Sequence, residues 1–368
     1  MTAEVRDTNP TPPSAAPGLP AGARSHWISG ALVIGVAALV LLFVLSDTRK
    51  LWQTASQLDA KLLLLPFGCA IISYIVMARS YQDIARAAGF EVPFWEMLKL
   101  TFVGNTVNYV VSTGGLSGFA VRLYFFIRLS IPSGMAVIIS LIQTLITNLV
   151  LLLFVLAGFA YLLIVHDLHG YALITTAVLL SFFMLAAGLV LSLLLHRRLR
   201  RRTLFILAEG THMFLHRFFP RHKPGRMRIW RFQRNLNRGI EFLLARKRHM
   251  VVPVLWIVVD WIFTLLILYG AFLSVHYPIP ISFVVVGFAV GVILSLVSLV
   301  PGGLGVMEGS MAAIFASLSV PFETAVVAVL IFRVAYYVMP LVVSVFFFRG
   351  MLLQGARGAP AALQESRQ

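Results

Sequence analysis

Cysteine, acidic side chains and charge of either sign are scarce in this chain, and each scarcity excludes something. The single cysteine, Cys69, lies inside an apolar run, so no internal disulfide staples the fold. Charged residues make up only 12% of the 368 positions, against 59% hydrophobic ones. Water-soluble domains need charged surface, so a soluble protein is excluded and an integral membrane protein is implied. The apolar runs are continuous, without the dyad alternation of a barrel, which points to spanning helices. No GxxxxGK[ST] stretch occurs, so a P-loop ATPase is excluded. Neither HExxH nor a Cys/His cluster suggests a metal, and no cofactor is expected.

The charge that is present is basic and concentrated. The net charge is +16, and residues 196–250 hold sixteen of the thirty Lys and Arg against only Glu209 and Glu241. Nucleic-acid binding is the less economical reading. A basic loop between spans is cytoplasmic by the positive-inside bias, and can hold anionic lipid head groups at about 1 kcal/mol per basic residue. Residues 1–25, rich in Pro, Ala, Thr and Ser, are expected to be a disordered tail, and no secretory leader is recognised. Residues 26–350 form the membrane domain, and 351–368 a second tail. Six full spans are expected: Ile28–Leu45, Leu62–Ala78, Gly134–Val165, Tyr171–Leu195, Val251–Val275 and Phe322–Phe348. Gly134–Val165 is about 48 Å long if straight, so it tilts, bends or projects.

Two stretches fit none of these spans. Phe94–Val111 carries Glu96, Lys99, Asn105 and Asn108, then meets glycines and the short run Phe119–Arg128. Ile281–Val300 meets Pro301-Gly302-Gly303 and then Leu304–Leu318. Both read as re-entrant helical hairpins, because irregular backbone at membrane depth survives only against protein or a hydrated cavity. The stretches also resemble each other. Val92-Pro93 matches Ile279-Pro280, Gly104 matches Gly291, Gly114-Gly115 matches Gly302-Gly303, and Leu129–Pro132 matches Leu318–Pro321, at offsets of 187 to 189. We read repeats at about 92–165 and 279–348. With loop 196–250 inside, the first hairpin dips from the cytoplasm and the second from the outer face, so the topology is inverted. The expected fold is therefore an all-α membrane protein with an inverted-topology repeat, about six full spans and two re-entrant hairpins.

The candidate site residues are ionisable and amide groups at membrane depth, where charge is expensive. Arg333, midway along its span, is either a phosphate-binding fork or an ion-pair partner of Glu308 or Asp260. Glu308 follows the glycines by one turn, where it complements a helix N-terminus or carries a proton or cation. Asp260, ten residues into its span, is a functional or paired carboxylate. Arg122 meets head groups from the cytoplasm or snorkels to the interface. Asn105, Asn108, Gln143, Thr144, Thr147 and Asn148 either line a polar seam or bond between helices. Gly302 and Gly303 let backbone approach a ligand.

These residues resemble the flippase-like transmembrane domain of lysylphosphatidylglycerol synthases, a family that also occurs as stand-alone membrane proteins. The most specific match is Pro301-Gly-Gly-Leu-Gly-Val-Met-Glu308 followed by Arg333, Tyr336 and Pro340. Asn105, Asn108, Gly114-Gly115 and Arg122 match the N-terminal motif, with Ser112-Thr113 where a proline is usual. The resemblance implies translocation of a phospholipid or related polar lipid in the bacterial cytoplasmic (inner) membrane, with both termini cytoplasmic. It also implies no enzymatic activity, since the aminoacyl-transfer domain of the full-length synthases is not seen. Transport would be downhill or ion-coupled, with Glu308 and Asp260 as proton carriers. An alternative from another class is a non-transporting subunit that docks a lipid- or glycan-modifying enzyme through loop 196–250. A homo-oligomer fits either reading.

Overall fold

The computed structural model describes residues 46–110, 116–165, 250–298 and 300–347, with isolated positions between 174 and 249. The expected tails at 1–25 and 351–368, the span Ile28–Leu45 and the glycines Gly114-Gly115 lie outside the described residues, as do most of Tyr171–Leu195 and of loop 196–250.

The described elements are helices: α1 (Thr48–Ser56), α2 (Ala60–Ala87), α3 (Phe94–Val110), α4 (Leu116–Arg128), α5 (Ser133–Val165), α6 (Val251–Ser274), α7 (Ile281–Ser298), α8 (Val306–Ser317) and α9 (Phe322–Arg333). A 3₁₀ turn, Pro301–Gly303, joins α7 to α8, and a π turn, Val334–Val338, carries α9 on as one span to Phe347. No strand occurs among the described residues. Four helices are long and apolar enough to cross a bilayer: Ala60–Ala87, Ser133–Tyr161, Val251–Ser274 and Phe322–Phe347. They coincide with four of the six expected spans. Local chemistry sets their ends. Asp47 and Asp59 cap α1 and α2 by accepting from the second and third amides that follow them. Prolines 93, 132, 280 and 321 stand at the entrances of α3, α5, α7 and α9, where their missing N–H costs nothing.

Helices α2 and α6 form the central antiparallel pair. Asp59 N–H donates to Ser274 O at one end, and Trp256 Nε1 donates to Asp83 Oδ2 at the other, where Arg246 also donates to Ala87 O. The pair approaches closely because Gly270 faces Pro66 and Leu65; a Cβ there would lie 3.1 Å from the proline ring. Helix α5 runs parallel to α6, since Ser80 donates both to Gln143 and to Pro253 O, and Trp261 Nε1 donates to Thr147 O. Helix α9 runs the other way. It starts where Asp47 N–H reaches Glu323 and finishes with Phe347 against Trp95, ring centroids 5.5 Å apart.

These contacts fix where the short helices go. Helix α3 begins beside the end of α9, and α5 begins at that same end, so the α3–α4 pair enters and leaves there. The α7–α8 pair links the end of α6 to the start of α9, at the opposite end. The two pairs meet midway along α9. Tyr109, one residue before the end of α3, has its ring 6.3 Å from Tyr336 and 4.5 Å from Tyr337. Tyr336 lies eleven residues before Phe347, roughly 16 Å along the helix. A Cβ on Gly302, in the α7–α8 turn, would lie 3.2 Å from Tyr109 O.

Candidate functional site

The chain break between α7 and α8 requires its glycines. Gly302 and Gly303 have φ of 61° and 63°, a left-handed conformation that L side chains rarely adopt. Space forbids a side chain as well: a Cβ on Gly303 would lie 1.9 Å from Ser295 Oγ. The turn leaves carbonyls unpaired by any helix, and Arg333 takes them. Its Nη1 donates to Gly302 O at 2.8 Å and its Nη2 to Gly303 O at 3.0 Å. Its Nε lies 2.6 Å from Glu308 Oε1, an ion-pair contact too bent to be a hydrogen bond. The guanidinium also lies over the Tyr337 ring, 4.3 Å from its centroid. Arg333 therefore pairs with Glu308 and not with Asp260, and every nitrogen of its fork faces a partner.

A π turn places the tyrosines. Met339 N–H bonds to Val334 O, five residues back, instead of four. Pro340 has no N–H, so the usual bond to Tyr336 O cannot form, and the wider turn relieves that gap. The extra residue lets Tyr336 stack on Phe332 at 5.5 Å while Tyr337 covers Arg333. Below it, Ser344 Oγ donates to Pro340 O at 2.7 Å and lies 2.7 Å from Thr106 Oγ1, tying α3 to the last helix. Sequence reasoning missed this tie and the π turn; Pro340 was their only visible sign.

Arg122 has a different environment. It is 8% exposed, against 6% for Arg333, 3% for Glu308 and 2% for Asp260. Its Nη1 donates to Tyr81 OH at 2.6 Å, and among the described residues its buried Nε has no hydrogen-bond partner and the side chain forms no ion pair. The side chain runs along α3 where Gly104 leaves room; a Cβ there would lie 3.1 Å from Arg122 Cγ. Gly118 draws α4 onto α3 in the same place, since a Cβ there would lie 2.7 Å from both Asn108 Cβ and Gly104 O. Asn108 Oδ1 is also buried and unpartnered. Asn105 turns toward α2, its Nδ2 2.8 Å from Met77 Sδ. A cation and an amide with spare hydrogen-bonding capacity thus lie on one helix pair, within two turns of the meeting point.

Asp260 is separate from both arginines. It accepts from Ser73 Oγ at 2.5 Å and has no ion-pair partner among the described residues. Ser73 was not singled out from the sequence, although it precedes Asp260 by 187 residues, the offset at which the two odd stretches match. The expected seam on α5 divides. Gln143 is buried and accepts from Ser80, whereas Thr144 and Asn148 are exposed and bond within α5, Asn148 Nδ2 to Thr144 O. The i/i+4 spacing places these groups one turn apart but does not say which of them the neighbouring helices cover. Among the described residues no group of three His, Cys, Asp or Glu could hold a metal.

Comparison with known proteins places this architecture. The chain is 19% identical over 315 residues to a UPF0104 membrane protein of Methanocaldococcus jannaschii, covering 85% of this chain and 91% of that one. It is 26% identical over 316 residues to the inner membrane protein YbhN of Escherichia coli, covering 84% and 87%. It is 32% identical over 88 residues to the phosphatidylglycerol lysyltransferase of Staphylococcus aureus, covering 23% of this chain and 10% of that enzyme. Residues 28–344 match the family described as the lysylphosphatidylglycerol synthase TM region, so the helix pairs, the glycine turn and the buried arginines are those of a membrane protein that belongs to this family.

Proposed function

We propose that this protein translocates a phospholipid or related polar lipid between leaflets, along a polar seam between two inverted repeats. Arg122 is the observation that carries the reading. It is a buried guanidinium without a counter-ion among the described residues, close to where one helix pair meets the other. Such a charge is costly until an anion joins it, and its planar fork suits a phosphodiester. A head group would pass Arg122 while its acyl chains stay in lipid. Arg333, tied to the turn and to Glu308, holds the second helix pair in shape.

Local geometry supports the repeat. Four helix ends are left-handed: Gly89 and His276, 187 residues apart, and Ser130 and Ser319, 189 apart. All four close with the same six-residue bond, Phe90 N to Ala85 O, Tyr277 N to Phe272 O, Ile131 N to Phe126 O and Val320 N to Phe315 O. The repeat then includes α2 and α6, so that α2–α5 corresponds to α6–α9 and Pro66 to Pro253. The contact between Ser73 and Asp260 fits an inverted relation, because equivalent residues of an antiparallel pair meet only on the two-fold axis. With the basic loop inside, α3–α4 dips from the cytoplasm, α7–α8 from the outer face, and both termini are cytoplasmic.

The name of the Staphylococcus aureus relative makes phosphatidylglycerol the first lipid to try. Proteoliposomes holding a fluorescent phosphatidylglycerol analogue, bleached from outside, report exchange between leaflets. We expect exchange above protein-free vesicles, lowered by Arg122→Ala about tenfold, the equivalent of roughly 1.4 kcal/mol. Exchange no faster than in protein-free vesicles, for phosphatidylglycerol and zwitterionic lipid alike, would refute translocation. Wild-type rates in Arg122→Ala would remove Arg122 from the path.

A further inference from the structure

Asp260 has no role in the head-group path just described, yet it is among the most deeply buried ionisable groups described. It lies ten residues into a 24-residue apolar helix and is 2% exposed. Among the described residues its contacts supply little: one hydroxyl, from Ser73, and no cation. The titratable groups near it are phenols, Tyr74 and Tyr81 from α2, Tyr109 from α3 and Tyr336 from the π turn. Helices α5 and α7 carry no charged side chain. Arg333 is committed to Glu308 and the glycine turn, and Arg122 bonds to Tyr81 and forms no ion pair with Asp260. An ionised carboxylate cut off from water and from any cation is costly, so such a group takes up a counter-charge.

Two candidates could supply that charge. A metal ion needs several oxygens around it, and one hydroxyl with one carboxyl is too few. A proton needs only the carboxyl. Position adds a second argument. Ser73 and Asp260 are equivalent residues of α2 and α6 in contact, so the carboxyl stands at the crossing of the repeats, at similar depth from either end of the pair. Thr264, one turn further along α6, carries a buried hydroxyl without a hydrogen-bond partner among the described residues, so the interior around this crossing holds a spare hydrogen-bonding group.

We propose that Asp260 is a proton-transfer site. Its carboxylate takes a proton from one aqueous face and gives it to the other as the repeats move against each other, coupling translocation to the proton gradient. No electron moves, and the only bond made and broken is the carboxyl O–H. The proposal rests on the inverted-repeat reading but does not require that the cargo be phosphatidylglycerol.

The test uses the full chain in liposomes containing a pH-sensitive dye, with a potassium-diffusion potential drawing protons inward. Lipid exchange is measured in parallel. Expected is a proton flux in wild type that falls to the protein-free leak in Asp260→Asn and is retained in Asp260→Glu. Infrared spectra of the purified protein should show a protonated-carboxyl band that appears as pH falls and is missing in Asp260→Asn. Flux without lipid exchange leaves the proton site standing and defeats the translocation reading. A wild-type flux no greater than the leak overturns the proposal, whatever lipid exchange does. So does equal flux in the Asn and Glu variants. If Asp260→Asn fails to fold, absence of the pH-dependent band in wild type is equally decisive.

Discussion

Gly302 leaves room for Tyr109: a Cβ on the glycine would lie 3.2 Å from the tyrosine carbonyl oxygen. One residue belongs to the turn of the second helix pair and the other to the tip of the first. Two segments that enter from opposite ends of the bundle therefore meet at a point, and both charged features of the site lie within about two turns of it.

That meeting depends on an unhindered turn, and Gly303 is the less tolerant of its two glycines. A methyl at Gly303 meets Ser295 Oγ at 1.9 Å and stands on a left-handed residue. Gly303→Ala is expected to destabilise the protein by roughly 1–3 kcal/mol, more than Gly302→Ala. Thermal unfolding in detergent ranks them, and equal midpoints would contradict the strain argument.

The Arg333–Glu308 pair is asymmetric, and its variants should be too. Arg333→Ala strands a buried carboxylate and two turn carbonyls, a loss of about 3–5 kcal/mol. Glu308→Gln leaves both of the arginine's carbonyl bonds in place and should cost less. A larger loss for Glu308→Gln, measured by the same unfolding assay, would mean that the ion pair and not the turn is what Arg333 supports.

Gly104 and Gly291, matched in the sequence at an offset of 187, serve different neighbours. A Cβ on Gly291 would lie 2.4 Å from Met311 Cγ, and one on Gly104 would lie 3.1 Å from Arg122 Cγ. Methionine adapts readily, so Gly291→Ala should be mainly a packing change. Gly104→Ala should shift the guanidinium and slow lipid exchange with little loss of stability. Exchange unchanged in Gly104→Ala but lost in Gly291→Ala would reverse this assignment.

Arg122 is expected to need its fork and not just its charge. Arg122→Lys should recover only part of the exchange lost in Arg122→Ala, because an ammonium is a compact point charge on a flexible stem. Full recovery, read from the bleaching assay, would show that charge alone suffices.

Much of this fold was legible from composition and spacing. Lipid demands long apolar runs and rejects open backbone, so the described spans and the two helix pairs could be located without coordinates. Prolines and glycines paired at a near-constant offset pointed to a repeat at about 92–165 and 279–348.

Which groups pair was not legible. Glu308 and Asp260 were equal candidates for Arg333, because depth in a helix says nothing about azimuth or neighbours. The amides on α5 shared a spacing but not a fate, since Gln143 faces α2 while Asn148 is exposed. Residue order alone determined that this chain must bury helices in a membrane and break two of them with glycine. Tertiary packing decided that Arg333 secures a turn, that Arg122 bonds to Tyr81 without an ion pair among the described residues, and that Asp260 meets Ser73. The reason is physical: hydrophobicity acts on each residue wherever it lies, whereas an ion pair or a hydrogen bond exists only once two distant segments share a position.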